Sequence, residues 1–175
     1  VNAALLTDSS VKFVGSATIG TDHLDLQYLQ QQQIAWSNAA GCNAQAVAEY
    51  VITALLHVQP ELLHADDRFT LGVIGLGNVG SRLVKMAQLL GWHVIGYDPF
   101  VTLNSVEQVD FDTLLTSSQA ISIHVPLTKT GPHPTYHLIH AAALAKMSPQ
   151  TILINSARGP VVAEADLIAD IQKTG

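Results

Sequence analysis

One cysteine, Cys42, among 175 residues leaves no partner for an intrachain disulfide, so stability has to come from buried apolar surface. Charge is also scarce. Only 13% of residues are Asp, Glu, Lys or Arg, the formal net charge is -6, and no basic run stands out, which argues against nucleic acid or an anionic membrane surface as partner. No apolar run reaches the roughly 18 to 20 residues of a spanning helix, and no charged segment leads into an apolar one as a secretion signal would. These absences point to the cytoplasm, to no membrane, and to a small molecule as the partner. The chain opens on Val1 instead of methionine and stops at Gly175 as a helical pattern runs out, so it reads as a fragment.

What is present is a 48% hydrophobic chain, enough for one full core and part of a second. Residues 1–42 read as short β pieces and turns. VKFVGSAT is an apolar run ending in small residues, TDHLDLQYL suggests a short helix and IAWSNAA another strand. In NAQAVAEYVITALLHV, residues Val47, Tyr50, Val51, Ala54, Leu55 and Val58 share one helix face, with Asn43 placed to cap it. Pro60 and the polar run after it suggest a linker, so residues 43–69 are expected to form a crossover helix and linker. From Thr70 to Gly175 strands and helices alternate: LGVIG, a helix over 78–90, HVIGYD, a short helix near FDTLL, AISIHV, a helix near 138–146, TILIN and a last helix after Val162. Such alternation with apolar strands implies an α/β fold with a doubly wound parallel sheet of the Rossmann type over residues 70–175.

GLGNVG follows the first of these strands and precedes a helix. Glycine at 75, 77 and 80, with Asn78 and Val79 between, suits a tight turn, close backbone approach to a pyrophosphate, and close helix packing. The next strand ends in Asp98, where a carboxylate can accept from the ribose hydroxyls of a dinucleotide. A carboxylate repels a 2'-phosphate and no arginine follows it in DPFVTLN, so NAD is expected over NADP. The plainer alternative is a glycine turn with an aspartate capping the loop before Pro99. Val125 and Pro126 after AISIH, and Ser156 and Ala157 after TILIN, border the same crevice, because ligands collect beyond the carboxyl ends of parallel strands.

GLGNVG with Asp98, the run from PLT through LAKMSPQTILINSARG, and the NAQAVAEYV helix resemble the NAD-dependent D-2-hydroxyacid dehydrogenase family. That resemblance implies that residues 1–42 are part of a flavodoxin-like substrate domain and that residues 70–175 are a cofactor domain that is incomplete at its C-terminus. It implies that Arg158 is the catalytic arginine, also against the cofactor, gripping the substrate carboxylate and 2-oxygen during hydride transfer. An always-charged planar guanidinium suits that task. Ala17, Thr18, Ile19 and Gly20 match the turn whose backbone amides bind the substrate carboxylate. Closer features, FVGSATIGTDHLD, AGCNAQAVAEYV and KTGPHPTYHL, resemble family members that oxidise 4-phospho-D-erythronate in pyridoxal phosphate synthesis. The implied partners are thus a phosphorylated 2-hydroxy acid and a second copy in a homodimer.

Other family substrates, phosphoglycerate, glycerate or lactate, stay open as alternatives, as does an NAD-binding module without turnover. The family's histidine and glutamate for proton transfer lie beyond the NxxRG strand, and none of the eight histidines here matches them. His124, at the end of AISIH, could approach a cofactor, but a packed ring satisfied by backbone is the plainer expectation. His133, His137 and His140 have a superficial metal spacing that Pro134 interrupts, so no metal is expected. Lys12 is the only basic residue before Arg68, leaving no visible site for a substrate phosphate in that half.

Overall fold

A computed structural model describes residues 1–64 and 69–174; residues 65–68 of the expected linker lie outside the described residues. The chain forms two compact units, Val1–Asn43 and Ala44–Gly175. The first contains α1 (Ala3–Leu6), β1 (Phe13–Ser16), α2 (Leu26–Gln31) and β2 (Ala35–Asn38), with β1 and β2 paired in parallel. Its core is small, comprising Leu6, Leu24, Leu29 and Ile34. The helix expected over TDHLDLQYL starts only at Leu26, because Asp25 caps it by accepting the Tyr28 N–H at 3.0 Å.

The second unit runs through α3 (Ala44–Val58), a 3-10 turn, β3 (Thr70–Ile74), α4 (Asn78–Leu89), β4 (His93–Tyr97), β5 (Glu107–Gln108), α5 (Phe111–Ser117), β6 (Ala120–Ile123), α6 (Ala141–Leu144), β7 (Ile152–Asn155), a second 3-10 turn and α7 (Glu164–Thr174). Its strands form an all-parallel sheet in the order β5-β4-β3-β6-β7. Alternate residues of β3 serve opposite faces. Leu71 and Val73 pack with Val51, Leu55, Leu83 and Val84 of α3 and α4, while Ile74 packs with Leu114, Leu115 and Ile121 on the other side. Each fully buried Leu or Ile contributes about 2 kcal/mol, so this two-sided core is what holds the sheet in place. The expected doubly wound α/β fold is therefore present.

Several elements depart from expectation in informative ways. The face that α3 buries is Ala44, Ala48, Val51, Ile52 and Leu55: Val51 and Leu55 of the expected face are buried, but Tyr50 and Val58 of it are each 65% exposed. Small alanines let α3 lie close on α4, and that outweighs the larger apolar side chains in choosing the face. The helix expected near 138–146 shortens to α6, because His137 takes a left-handed φ of 54° and Ile139 is drawn into a parallel bridge with Val162. His140 then caps α6 in place of continuing a helix. α4 ends in a Schellman turn at Gly91 (φ 82°), with Trp92 N–H donating to Ala87 and Gly91 N–H to Gln88. That stop aims the chain into β4, and Asp98 follows directly on the strand's last residue, Tyr97.

Candidate cofactor site

The site grows from the turn between β3 and α4. β3 is buried throughout, and at its end Gly75 bends the chain with φ 91°, a region costly for any residue with a Cβ. A Cβ at Gly80 would lie 1.9 Å from the Gly75 carbonyl oxygen, so only glycine lets the first turn of α4 close on the loop. Gly77 differs from both. It is exposed, nothing lies within 4 Å of where its Cβ would be, and it stands at the N-cap of α4 with no side-chain bond to the first-turn amides. Packing explains glycine at 75 and 80 but not at 77. Open space at the uncapped, partly positive end of a 12-residue helix fits a pyrophosphate.

Asp98 holds two loops together. Its Oδ2 accepts the Leu76 N–H at 2.8 Å, and its Oδ1 accepts those of Phe100 and Val101 at 2.9 and 3.0 Å. Asp98 thus caps the loop after β4. A carboxylate offers about four acceptor sites, so capacity remains for a ribose hydroxyl.

A cleft of about 470 Å³ brings these parts together. It is lined by Gly75 and Gly77, by Asp98 to Val101 after β4, by His124 to Pro126 after β6, and by much of the segment from Thr128 to Thr135. Its size is that of a small-molecule site. Pro99, Pro126, Pro132 and Pro134 stiffen its walls, and Phe100 meets His133 edge to face with ring centroids 5.4 Å apart. Of the residues expected at the cofactor, Gly75, Gly77, Asp98, Val125 and Pro126 line this cleft, while Asn78, Val79, Gly80, Ser156, Ala157 and Arg158 are not among its lining residues.

The segment 128–135 lines the cleft in addition to the residues that the motifs indicate. Thr128 and Thr135 clasp its neck: the Thr128 N–H donates to Thr135 Oγ1 at 2.8 Å, the Thr135 N–H donates to Thr128 O at 3.0 Å, and the Thr135 hydroxyl donates to Pro126 O at 2.5 Å. The two threonines and the prolines between them are visible in sequence. Their pairing is not, because it depends on how the chain returns.

The turn after β7 is built by Asn155. Its Nδ2 donates to Arg158 O at 2.9 Å and its Oδ1 accepts the Ala157 N–H at 3.1 Å, which sets the backbone from which the half-buried Arg158 projects. The Arg158 guanidinium donates through Nη1 to Ala157 O at 3.1 Å. Ser156 turns its hydroxyl inward, 3.2 Å from Ile123 O and 2.8 Å from His124 Nδ1. His124 is packed, as expected, but its ring is satisfied by hydroxyls and not by backbone: Nε2 lies 2.8 Å from Ser122 Oγ. Burial pushes its pKa down to about 4, so the ring is neutral near pH 7.

The other histidines go separate ways. His133 contacts Phe100, His137 stacks on Tyr136, and His140 accepts the Ala143 N–H; among the described residues no group of three or more His, Cys, Asp or Glu is arranged to hold a metal ion. No helix of the described residues is long and apolar enough to cross a membrane. In the first unit, Ala17, Thr18, Ile19 and Gly20 form a turn after β1. Asn38 Nδ2 donates to Ile19 O at 2.6 Å, Thr18 Oγ1 donates to Gly20 O at 3.1 Å, and Ser16 Oγ bridges Thr18 Oγ1 and His23 Nε2 at 2.9 and 3.1 Å.

Residues 58–175 match the family model described as D-isomer specific 2-hydroxyacid dehydrogenase, NAD binding domain. The chain belongs to that family. Residues 58–175 are accordingly its NAD-binding domain. Among curated relatives, erythronate-4-phosphate dehydrogenase of Acinetobacter baumannii strain ATCC 17978 is 66% identical over 174 residues, covering 99% of this chain and 49% of the relative. The protein of the same name from Psychrobacter cryohalolentis is 45% identical, covering 99% and 50%. The chain thus spans about half the length of the curated relatives it matches. Among solved structures, D-lactate dehydrogenase from Aquifex aeolicus, complexed with NAD and lactic acid, superposes with a TM-score of 0.77 at 26% identity, covering 98% of this chain and 57% of that one. An acyclic imino acid reductase, Bsp5, in complex with NADPH and D-Arg reaches 0.80 at 26% identity, covering 95% and 59%.

Proposed function

We propose that this dehydrogenase-family chain serves the NAD-dependent oxidation of 4-phospho-D-erythronate to 2-oxo-3-hydroxy-4-phosphobutanoate, with hydride leaving C2, in pyridoxal phosphate synthesis. The observation that carries the cofactor half is the cleft joining Gly77, at the uncapped start of α4, to Asp98. The substrate half is supported by the name of relatives 66% identical to this chain. NAD, when bound, supplies the hydride acceptor. The amides of Asn78, Val79 and Gly80 receive the pyrophosphate, and Asp98 accepts from the adenosine ribose and disfavours a 2'-phosphate. Val125, Pro126, Ser156 and Ala157 border the rest of the dinucleotide. Arg158 holds the substrate carboxylate and 2-oxygen, in a turn that Asn155 keeps in shape. The amides of the Ala17–Gly20 turn bind the substrate carboxylate. We place this activity in the cytoplasm and in a homodimer, for which Tyr50 and Val58 on α3 supply exposed apolar surface.

Calorimetry tests this reading. NAD should bind more tightly than NADP, and Asp98→Ala should weaken NAD by roughly tenfold, the value of a hydrogen bond to a charged acceptor. No heat with either NAD or NADH would sink it.

A further inference from the structure

We infer that His124 is a positioning residue: a neutral imidazole, protonated on Nδ1, that fixes the Ser156–Arg158 turn relative to the glycine loop. The inference rests on reading the cleft as the dinucleotide site and deepens it. Two hydrogen bonds and one close backbone contact meet at this residue. Its backbone N–H donates to Ile74 O at 2.8 Å, tying it to the end of β3. Its carbonyl oxygen lies 2.8 Å from where a Cβ at Gly75 would sit, so the glycine loop is moulded against it. Its ring reaches across to β7 through Ser156.

The proton count sets the tautomer. Ser156 Oγ has one proton and contacts two groups, the Ile123 carbonyl and His124 Nδ1. A carbonyl can only accept, so the serine proton goes to Ile123 O and Nδ1–H must donate to Ser156 Oγ. The neutral ring then has its lone pair on Nε2, which accepts from the hydroxyl of Ser122, a fully buried side chain. Every polar atom in the chain from Ser122 through His124 and Ser156 to Ile123 is satisfied in this one arrangement. Ser156 is thereby held from within the domain, and the backbone leading to Arg158 is held with it.

Two measurements test this on the protein as it stands. Imidazole nitrogen NMR should show His124 Nδ1 as the protonated and Nε2 as the unprotonated nitrogen. In Ser156→Ala, which removes the acceptor, the proton should move to Nε2 and donate to Ser122. A native ring protonated on Nε2, or no change of tautomer in Ser156→Ala, overturns the inference. The second measurement compares NAD with ADP-ribose, which lacks only the nicotinamide. Ser156→Ala, and His124→Phe where it folds, should weaken NAD by roughly tenfold, the loss of one buried hydrogen bond, and ADP-ribose by far less. Equal losses for both ligands, or none, mean a merely structural residue and overturn the inference while the cleft reading survives. No NAD binding by the unaltered protein overturns the cleft reading and this inference together.

Discussion

Two turns rich in small residues follow parallel strands in this molecule, Ala17 to Gly20 after β1 and Gly75 to Gly80 after β3, and they are held by different means. The second rests on a strand buried at every position and opens into a 12-residue helix. The first follows a strand that is half exposed along its length, in a unit with a four-residue core, and is held by exposed hydroxyl and amide bonds. Both look alike in sequence, as an apolar run ending in small residues. The difference teaches that the glycine turn takes its fixed backbone from the strand behind it and its partial positive charge from the helix ahead of it, whereas the first turn depends on side-chain hydrogen bonds for its shape.

The comparison breaks hardest at Gly80. Gly80→Val should cost about 3 kcal/mol in urea unfolding, since its Cβ would meet the Gly75 backbone and not a movable side chain. Gly77→Ala should cost about 1 kcal/mol or less, because its Cβ meets nothing, and yet should weaken NAD by roughly tenfold. Unchanged NAD affinity in Gly77→Ala would mean that the backbone at 77 does not approach the ligand.

Acid gives an effect as large as that of Gly80→Val, and it too falls on the second unit. His124 has its folded pKa pushed down to about 4 from 6.5, so between these values the unfolded chain binds the extra proton. Its contribution is intact above pH 6.5 and is lost as pH falls towards 4, by about 3 kcal/mol in all. His124→Phe should flatten that part of the pH dependence of unfolding; an unchanged slope would show that another group carries it. The smallest effect belongs to the first turn. Asn38→Ala removes an exposed bond to Ile19 O and should cost under about 1 kcal/mol, seen as faster amide exchange around Thr18 with β3 and β6 unchanged.

Much of this fold was legible in the sequence because each signal was local. LGVIG, HVIGYD, AISIHV and TILIN are runs of apolar residues bounded by turn formers, and they become β3, β4, β6 and β7. What was not legible depended on partners distant in sequence. The buried face of α3 was chosen by close packing on α4, and Ile139 exchanged a helical neighbourhood for a bridge to Val162. β5 is two polar residues long and is a strand only because Ile95 and Gly96 lie beside it. In the site, Gly75 and Asp98 follow from motif spacing alone. The tie between His124 and Ser156 spans thirty-two residues and leaves no periodic trace.

The Thr128–Thr135 clasp bears on how such a cleft can change over generations. A loop tied at its neck bears its own closure entropy there, so residues between the two threonines can be lengthened, shortened or exchanged without moving the sheet. The wall of the cleft is therefore a cassette, and the scaffold that holds Asp98 and Gly77 need not be rebuilt when its contents are swapped.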